Sequence, residues 1–352
     1  PTCAHCSTER EGTNMTDISE ATLVSTRIRL ARNLEGYPFP SHLKGEKQAK
    51  EIIRLVSSGL NRLADFKLYY MDAIDDWEAN SLVENHLISR DLVARKRLGA
   101  ALINDDKSIS VMINEEDHLR EQCIIKGLQL RRAYDRLSEI DSKIGRSIKF
   151  AYDERLGYLT ACPTNLGTGL RASVMLFLPA ITINDSLREV VKYISRLGLT
   201  VRGMYGEGSD AEGYMYQVSN EITLGETEDK ILSLVESVAR NIFEQEKAER
   251  EMLKSGERRL EVKDKCLRAY GIATNCAVLS SLELVRLAAD IKLGICLGYI
   301  PIGSVAVIDD LVTRMQPCNM NRSAGRALSP DERDAYRAEY ISTHLKRLAS
   351  VR

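Results

Sequence analysis

The hydrophobic periodicity of this 352-residue chain changes once, near Gly225, and that change divides what it can fold into. Before it, alternating runs at residues 23–30, 109–113, 156–162, 170–178 and 214–218 are interleaved with a helical pattern at residues 46–65. After it, Ile231, Leu234, Val235, Val238, Ile242 and Phe243 recur at helical spacing behind Thr227 as N-cap, which predicts a long helix to about Ser255. Residues 280–289 and 330–348 continue the helical pattern. Ser329 caps the last of these helices, Pro330 suits its first turn, and Asp331 and Glu332 complement its dipole. The strands do not alternate regularly with helices, so the expected class is α+β. Three parts are expected: a flexible segment at residues 1–21, a mixed domain at residues 22–255 and a helical domain at residues 256–352.

Charge narrows the partners. Lys and Arg number 49 against 50 Asp and Glu, which leaves no bulk electrostatic drive toward nucleic acid or an anionic membrane. No apolar run reaches the length of a membrane span, and the N-terminus lacks the order of a signal peptide, so a cytoplasmic protein is expected. Eight cysteines are scattered through a chain large enough to need no disulfides, and they read as reduced thiols. Cys3 and Cys6 have zinc-knuckle spacing, but no second pair follows to complete four ligands.

Phosphate binding would have to come from local arginines. Arg27 and Arg29 lie two apart in a strand-like run and therefore project from one face, where two guanidinium forks suit a polyphosphate. Residues 112–120 (MINEEDHLR) place a carboxylate cluster one helical turn before Arg120. Residues 162–174 (CPTNLGTGLRASV) form a glycine-rich turn, with Gly167 and Gly169 open to close approach by a ligand and Arg171 on the polar face of the next strand. Residues 202–213 (RGMYGEGSDAEG) form a second loop with Arg202, Glu207, Asp210 and Glu212. Taken singly, these segments read equally as a solvated acidic turn, a basic strand edge, a glycine hairpin and a mobile loop. The dinucleotide fingerprint lacks its third glycine, and no P-loop, HExxH or GxSxG occurs, so separate arginines are what remains.

In this order and with these neighbours, the arginine pair, NEEDHxR, CPTNxGTGLRAS and RGxYGEGS resemble the phosphagen (guanidino) kinases, the ATP:guanido phosphotransferases, and within them the protein-arginine kinases. Residues 84–89, 153–160 and 219–225 carry the same resemblance. It implies a catalytic domain with a mostly antiparallel β-sheet flanked by helices, then a small all-α C-terminal domain. It also implies transfer of the γ-phosphoryl group of ATP, with Mg²⁺, to arginine guanidino groups of proteins. By the same match, Glu116 is the expected base, Glu207 the second guanidinium-binding carboxylate, and Asp210, where relatives commonly have glutamate, its reserve. The ATP site is expected at Ser25, Thr26, Arg27, Ile28, Arg29, His86, Arg120, Arg171, Ala172, Ser173, Val174, Met175, Arg202, Gly203, Met204, Tyr205, Gly206 and Glu207. No direct protein ligand to the metal is expected, Glu115 acting on Mg²⁺ at most through water.

Cys162 is expected to be a reactive thiol beside the arginines. Arg333, Asp334, Arg337 and Ala338 match an RDxxRA phosphoarginine pocket, with the two arginines on one helix face. Only 24 residues precede Ser25, and small-guanidine relatives carry a helical domain there, so a site open to protein-borne arginine is expected. The resemblance further implies protein quality control through a Clp protease, a zinc-binding activator protein and a homo-oligomer. A kinase of free guanidines and a catalytically weak phosphoarginine reader are the alternatives.

Overall fold

The structure, a computed structural model, describes residues 21–60, 65–203 and 212–350. Its centre is an eight-stranded sheet built from β1 (Leu23–Arg32), β2 (Phe66–Tyr70), β3 (Ala100–Asn104), β4 (Ile109–Ile113), β5 (Leu119–Lys126), β8 (Leu170–Phe177), β9 (Leu199–Gly203) and β10 (Met215–Asn220). The strand order is β2-β3-β4-β5-β1-β8-β10-β9, and every neighbouring pair is antiparallel. A two-stranded ribbon of β6 (Tyr152–Asp153) and β7 (Gly157–Tyr158) stands apart. The expected strand at residues 156–162 shrinks to β7 because Gly157 turns the chain at φ +71° and Leu156 faces solvent.

Strand alternation gives the sheet two unlike faces. On one, Ile28, Leu30, Val111, Ile113, Leu119, Ala172, Val174 and Val218 are buried in the main core. The helices Glu46–Leu60, Leu130–Ser147 and Glu228–Ser255 cover this face with stripes such as Ile52, Val56 and Leu60, or Ala133, Leu137 and Ile144. Each Leu, Ile or Val among them contributes about 1.5–3 kcal/mol when taken fully from water. Glu121 of β5 also points into this core, fully buried beside the ion pair of Arg32 and Asp141. Burial, and then the Asp141 charge, push its carboxyl well above the ordinary range, so it is held as the neutral acid.

The opposite face is apolar only at its ends. At one end Ala101, Ile103 and Met112 pack under Met71, Leu82, Leu87, Ile88 and Leu92. At the other, Phe177 and Met215 pack against Ala289 of the helix Ser281–Cys296. The middle of the face is left to arginines.

The long helix Glu228–Ser255 is capped by Thr227, whose side chain accepts the Lys230 N–H. It begins in the sheet core and reaches a second core at Leu253. That second core is formed by the helices Arg259–Asn275, Ser281–Cys296, Ala306–Arg314, Pro317–Ala324 and Pro330–Ser350, through residues such as Cys266, Leu284, Ile291 and Ile341. Among the described residues no helix is long and apolar enough to cross a membrane.

Candidate active site

The register of β1 with its neighbours creates the site. Arg29 lies directly opposite Gln122 on β5 and Arg171 on β8, and Arg27 lies opposite Ser173. Ser219 of β10 extends the Arg27 row, while Arg202 of β9 stands opposite Gln217, itself opposite Met175. Alternation therefore puts Arg27, Arg29, Arg120, Arg171 and Arg202 on one face. It puts Thr26, Ile28, Ala172 and Val174, expected in the ATP site, on the other face, where all four are buried. Their side chains belong to the fold; Ser25, Ser173 and Met175 share the arginine face.

The guanidinium groups crowd one another. Desolvation, followed by the charge of Arg120, lowers Arg27 to about 10. Desolvation and the charges of Arg27, Arg120 and Arg171 also lower Arg29 well below its ordinary value. Arg171 is lowered by burial, then by Arg202 and Arg120. Arg171 donates to Ser219 Oγ at 3.0 Å, yet the Nε atoms of Arg29 and Arg171 are buried with no hydrogen-bond partner among the described residues. A cluster of like charges with unspent donors is a site for a multiply charged anion.

The acidic segment is a hairpin turn between β4 and β5, not a helical turn. Asn114 enters the left-handed region at φ +61°, and its N–H bonds the His118 carbonyl at 3.0 Å. The hairpin sends each acidic side chain a different way. Glu115 turns inward, where its Oε1 accepts from both Arg120 and Ser89. Burial opposes its charge, but Arg120 and Ser89 outweigh it and lower the carboxyl. Asp117 accepts from Asn33 Nδ2 at 2.6 Å and from the Ala161 N–H at 2.7 Å, tying the turn to the chain entering Cys162. His118 accepts the Leu34 N–H at 3.1 Å, and burial lowers it to about 4, so it is neutral near pH 7.

Glu116 alone of the turn's acids is exposed, while its N–H donates to Glu115 Oε2 at 3.2 Å. Desolvation, then the charges of Asp117 and Glu115, raise it above an ordinary glutamate. A raised carboxylate beside guanidinium groups can take a proton.

Sequence reasoning missed Gln122. Its Oε1 accepts from Arg27 Nε at 3.0 Å and Nη2 at 2.6 Å, while its Nε2 donates to the carbonyls of His86 at 2.7 Å and Leu87 at 3.0 Å. It lies two residues beyond Arg120, so recognition of β5 as a strand would have put it on the arginine face. His86, at φ +59°, is bonded through its carbonyl to Gln122, and surrounding protein, then the Arg27 charge, favour its neutral form. Cys162 is half-exposed, with Sγ 3.1 Å from Thr164 Oγ1.

The glycine-rich loop departs from its expected role. A Cβ on Gly167 would come within 2.5 Å of the Thr223 carbonyl, and one on Gly169 within 2.7 Å of the Ala31 carbonyl. These glycines admit neighbouring backbone, which positions Arg171, rather than a ligand. Met204, Tyr205, Gly206, Glu207 and Asp210 lie outside the described residues.

The helical domain touches both sides of the arginine face. Glu84 accepts the Cys318 and Asn319 N–H groups at 2.8 and 2.7 Å, capping the helix Pro317–Ala324, and Ser81 and Asn85 bond Asn319. On the far side Tyr214 Oη accepts from Lys265 at 2.6 Å and lies 3.3 Å from Asp290.

The two arginines of RDxxRA differ in burial. Arg337 is buried and donates to the carbonyls of Met315 at 2.9 Å and Leu279 at 2.6 Å, to Asp334, and to Met320 Sδ at 3.5 Å. Ala338 is buried in the helical core. Arg333 is half-exposed and commits Nη1 to the Leu328 carbonyl at 2.7 Å. Among the described residues, no group of three or more His, Cys, Asp or Glu side chains is placed to hold a metal ion.

Residues 48–249 match the family profile of the ATP:guanido phosphotransferase C-terminal catalytic domain, and residues 259–352 match that of the protein-arginine kinase McsB C-terminal domain. A protein-arginine kinase of Caldanaerobacter subterraneus subsp. tengcongensis is 44% identical over 330 residues, covering 92% of this chain and 97% of that relative. Among solved structures, the substrate-free duplicated taurocyamine kinase from Schistosoma mansoni superposes with a TM-score of 0.59 at 28% identity, over 77% of this chain and 40% of that longer one. A lombricine kinase gives 0.58 at 26% identity, over 65% of this chain and 67% of its own.

Proposed function

The chain belongs to the ATP:guanido phosphotransferase family, in its protein-arginine kinase branch, and on that premise we propose how its residues carry the reaction. The triphosphate of ATP lies on the arginine face. Arg27, Arg29, Arg171 and Arg202 hold it, and Arg120, oriented by Glu115, meets the phosphoryl group in transfer. The observation that carries this reading is the pair of buried Nε atoms on Arg29 and Arg171 without partners among the described residues, on the same sheet face as Arg120, whose charge acts on the exposed Glu116.

The acceptor is an arginine of a protein. A guanidinium with pKa near ~13.8 has no free lone pair at neutral pH, so its proton must leave as the bond to phosphorus forms. The guanidino nitrogen attacks the γ-phosphorus, the bond to the β-phosphate oxygen breaks to release ADP, and the proton passes to Glu116. Glu207, or Asp210 in its place, is the second carboxylate on the guanidinium. Magnesium arriving with the nucleotide would supply charge neutralisation at the phosphates. Glu115 Oε1 is already taken by Arg120 and Ser89, so its reach toward the metal is through Oε2 and water.

Arg333, half-exposed on the helical domain, is the phosphoryl contact of a regulatory phosphoarginine pocket, with Arg337 fixing Asp334 behind it. In the cell the product would mark proteins for a Clp protease, with a zinc-binding activator and a second copy of the chain as partners.

The test is to incubate the purified protein with Mg-ATP and an arginine-rich unfolded protein, with free arginine in parallel. Acid-labile phosphate on the protein acceptor, lost in Glu116→Gln, is the expected result. Label on free arginine alone would move the chain to the small-guanidine kinases, and label on neither would leave a phosphoarginine reader.

A further inference from the structure

We infer that Gln122 is a positioning residue for ATP, setting Arg27 and the His86 segment in a single hydrogen-bonded unit. The inference rests on the reading of Arg27 as a phosphate ligand. Gln122 is 1% exposed and stands on β5 between Ser110 of β4 and Arg29 of β1. The orientation of its amide is fixed by chemistry. A guanidinium only donates and the His86 and Leu87 carbonyls only accept, so the oxygen must face Arg27 and the nitrogen the carbonyls. Ser110 Oγ adds a bond to the same Leu87 carbonyl at 2.6 Å.

The neutrality of the acceptor matters as much as its geometry. Glu115 binds Arg120 as a carboxylate and offsets its charge. Gln122 takes two N–H groups of Arg27 without offsetting any, so the full positive charge of Arg27 is left for an anion while its orientation is set in advance. The same amide steadies His86, which adopts the left-handed region at φ +59°, through its carbonyl. Loss of Gln122 would thus release a phosphate contact and the His86–Leu87 segment together.

The experiment measures KM for Mg-ATP, KM for the protein acceptor and kcat in Gln122→Leu, Gln122→Glu, Arg27→Lys and Arg27→Lys/Gln122→Leu, with thermal melts confirming the folded state. Gln122→Leu should raise KM for ATP about tenfold, the scale of losing a hydrogen bond to a charged group. KM for the acceptor should hardly move. Gln122→Glu, which folds without a void, should weaken ATP at least as much, because its charge pairs Arg27 and repels the phosphates. In the Arg27→Lys background, Gln122→Leu should add less than about twofold, since coupled residues are not additive. An unchanged KM for ATP in both Gln122 variants, or effects that multiply in the double variant, would overturn the inference and leave the phosphate cradle standing. An unchanged KM for ATP in Arg27→Lys would overturn the cradle reading and this inference with it.

Discussion

Arg29 and Arg171 stand directly opposite each other on β1 and β8, each with a buried Nε lacking a partner among the described residues. Like charges facing across strands oppose folding until an anion arrives. Arg29→Met should therefore leave the nucleotide-free melting temperature unchanged or slightly raised. The native protein should gain about 2.7 kcal/mol at a nucleotide concentration one hundred times Kd, and the variant should gain almost none at that concentration. Thermal melts with and without Mg-ADP decide it; a nucleotide-free variant that melts well below the native protein would refute the like-charge argument.

The Glu116 carboxyl is raised by desolvation and by the charges of Asp117 and Glu115. A base works deprotonated, so activity should fall as pH drops through a pKa above that of an ordinary glutamate. Asp117→Asn removes one of the raising charges and should move this acid limb to lower pH. Glu116→Gln should cost about 10²- to 10⁴-fold in kcat while nucleotide still binds. Rate profiles between pH 4 and 8 provide the check.

Glu84 holds the first free N–H groups of the helix Pro317–Ala324 with both carboxylate oxygens. Glu84→Ala should cost about 1–3 kcal/mol in urea denaturation, and hydrogen exchange should quicken at residues 317–321. Glu84→Gln, which keeps an acceptor but no charge, should lie between. Equal stability of all three proteins would show that the cap contributes nothing.

Arg337 and Arg333 should separate by stability. Arg337→Ala strips buried carbonyls and Asp334 of their donors and should cost about 3 kcal/mol or more. Arg333→Ala should melt normally yet bind a phosphoarginine peptide poorly. Calorimetric titration on both variants tests this, and undiminished binding by Arg333→Ala would remove the residue from the pocket.

Cys162 is half-exposed near Arg171. Iodoacetamide should inactivate the enzyme, Mg-ATP should slow the loss, and Cys162→Ala should be immune. Inactivation of Cys162→Ala at the native rate would assign the effect to another cysteine.

The sequence shows some of this site and conceals the rest for physical reasons. The shared face of Arg27 and Arg29 follows from a period of two, and Glu116 from the family motif. Strand β5 was hidden because Glu121, a carboxyl, occupies a core position and breaks the apolar alternation of Leu119, Cys123 and Ile125. Without β5, the partnership of Gln122 with Arg27 had no register to appear in. Strand β3 shows no alternation because Ala100, Ala101, Leu102 and Ile103 are buried on both faces, whereas the long helix after Thr227 was legible to its end. Four-residue spacing put Arg333 and Arg337 on one helix face but could not show that Arg337 turns into the core.

The place of β1 in the sheet has a consequence for how the chain is made. Residue 29 pairs with residue 122 on one side and residue 171 on the other, so β1 must wait for both partners to emerge. At synthesis rates of about 5–20 residues per second, that delay is roughly 7–28 seconds to the second partner. During it, Ile28 and Leu30 have no sheet to join, and the strand is an open edge for other chains. Contacts so distant in sequence also make closure slow. Among the strands of the sheet, the segment that carries two of the phosphate-binding arginines thus waits longest for its first partner and is the first to need protection from aggregation.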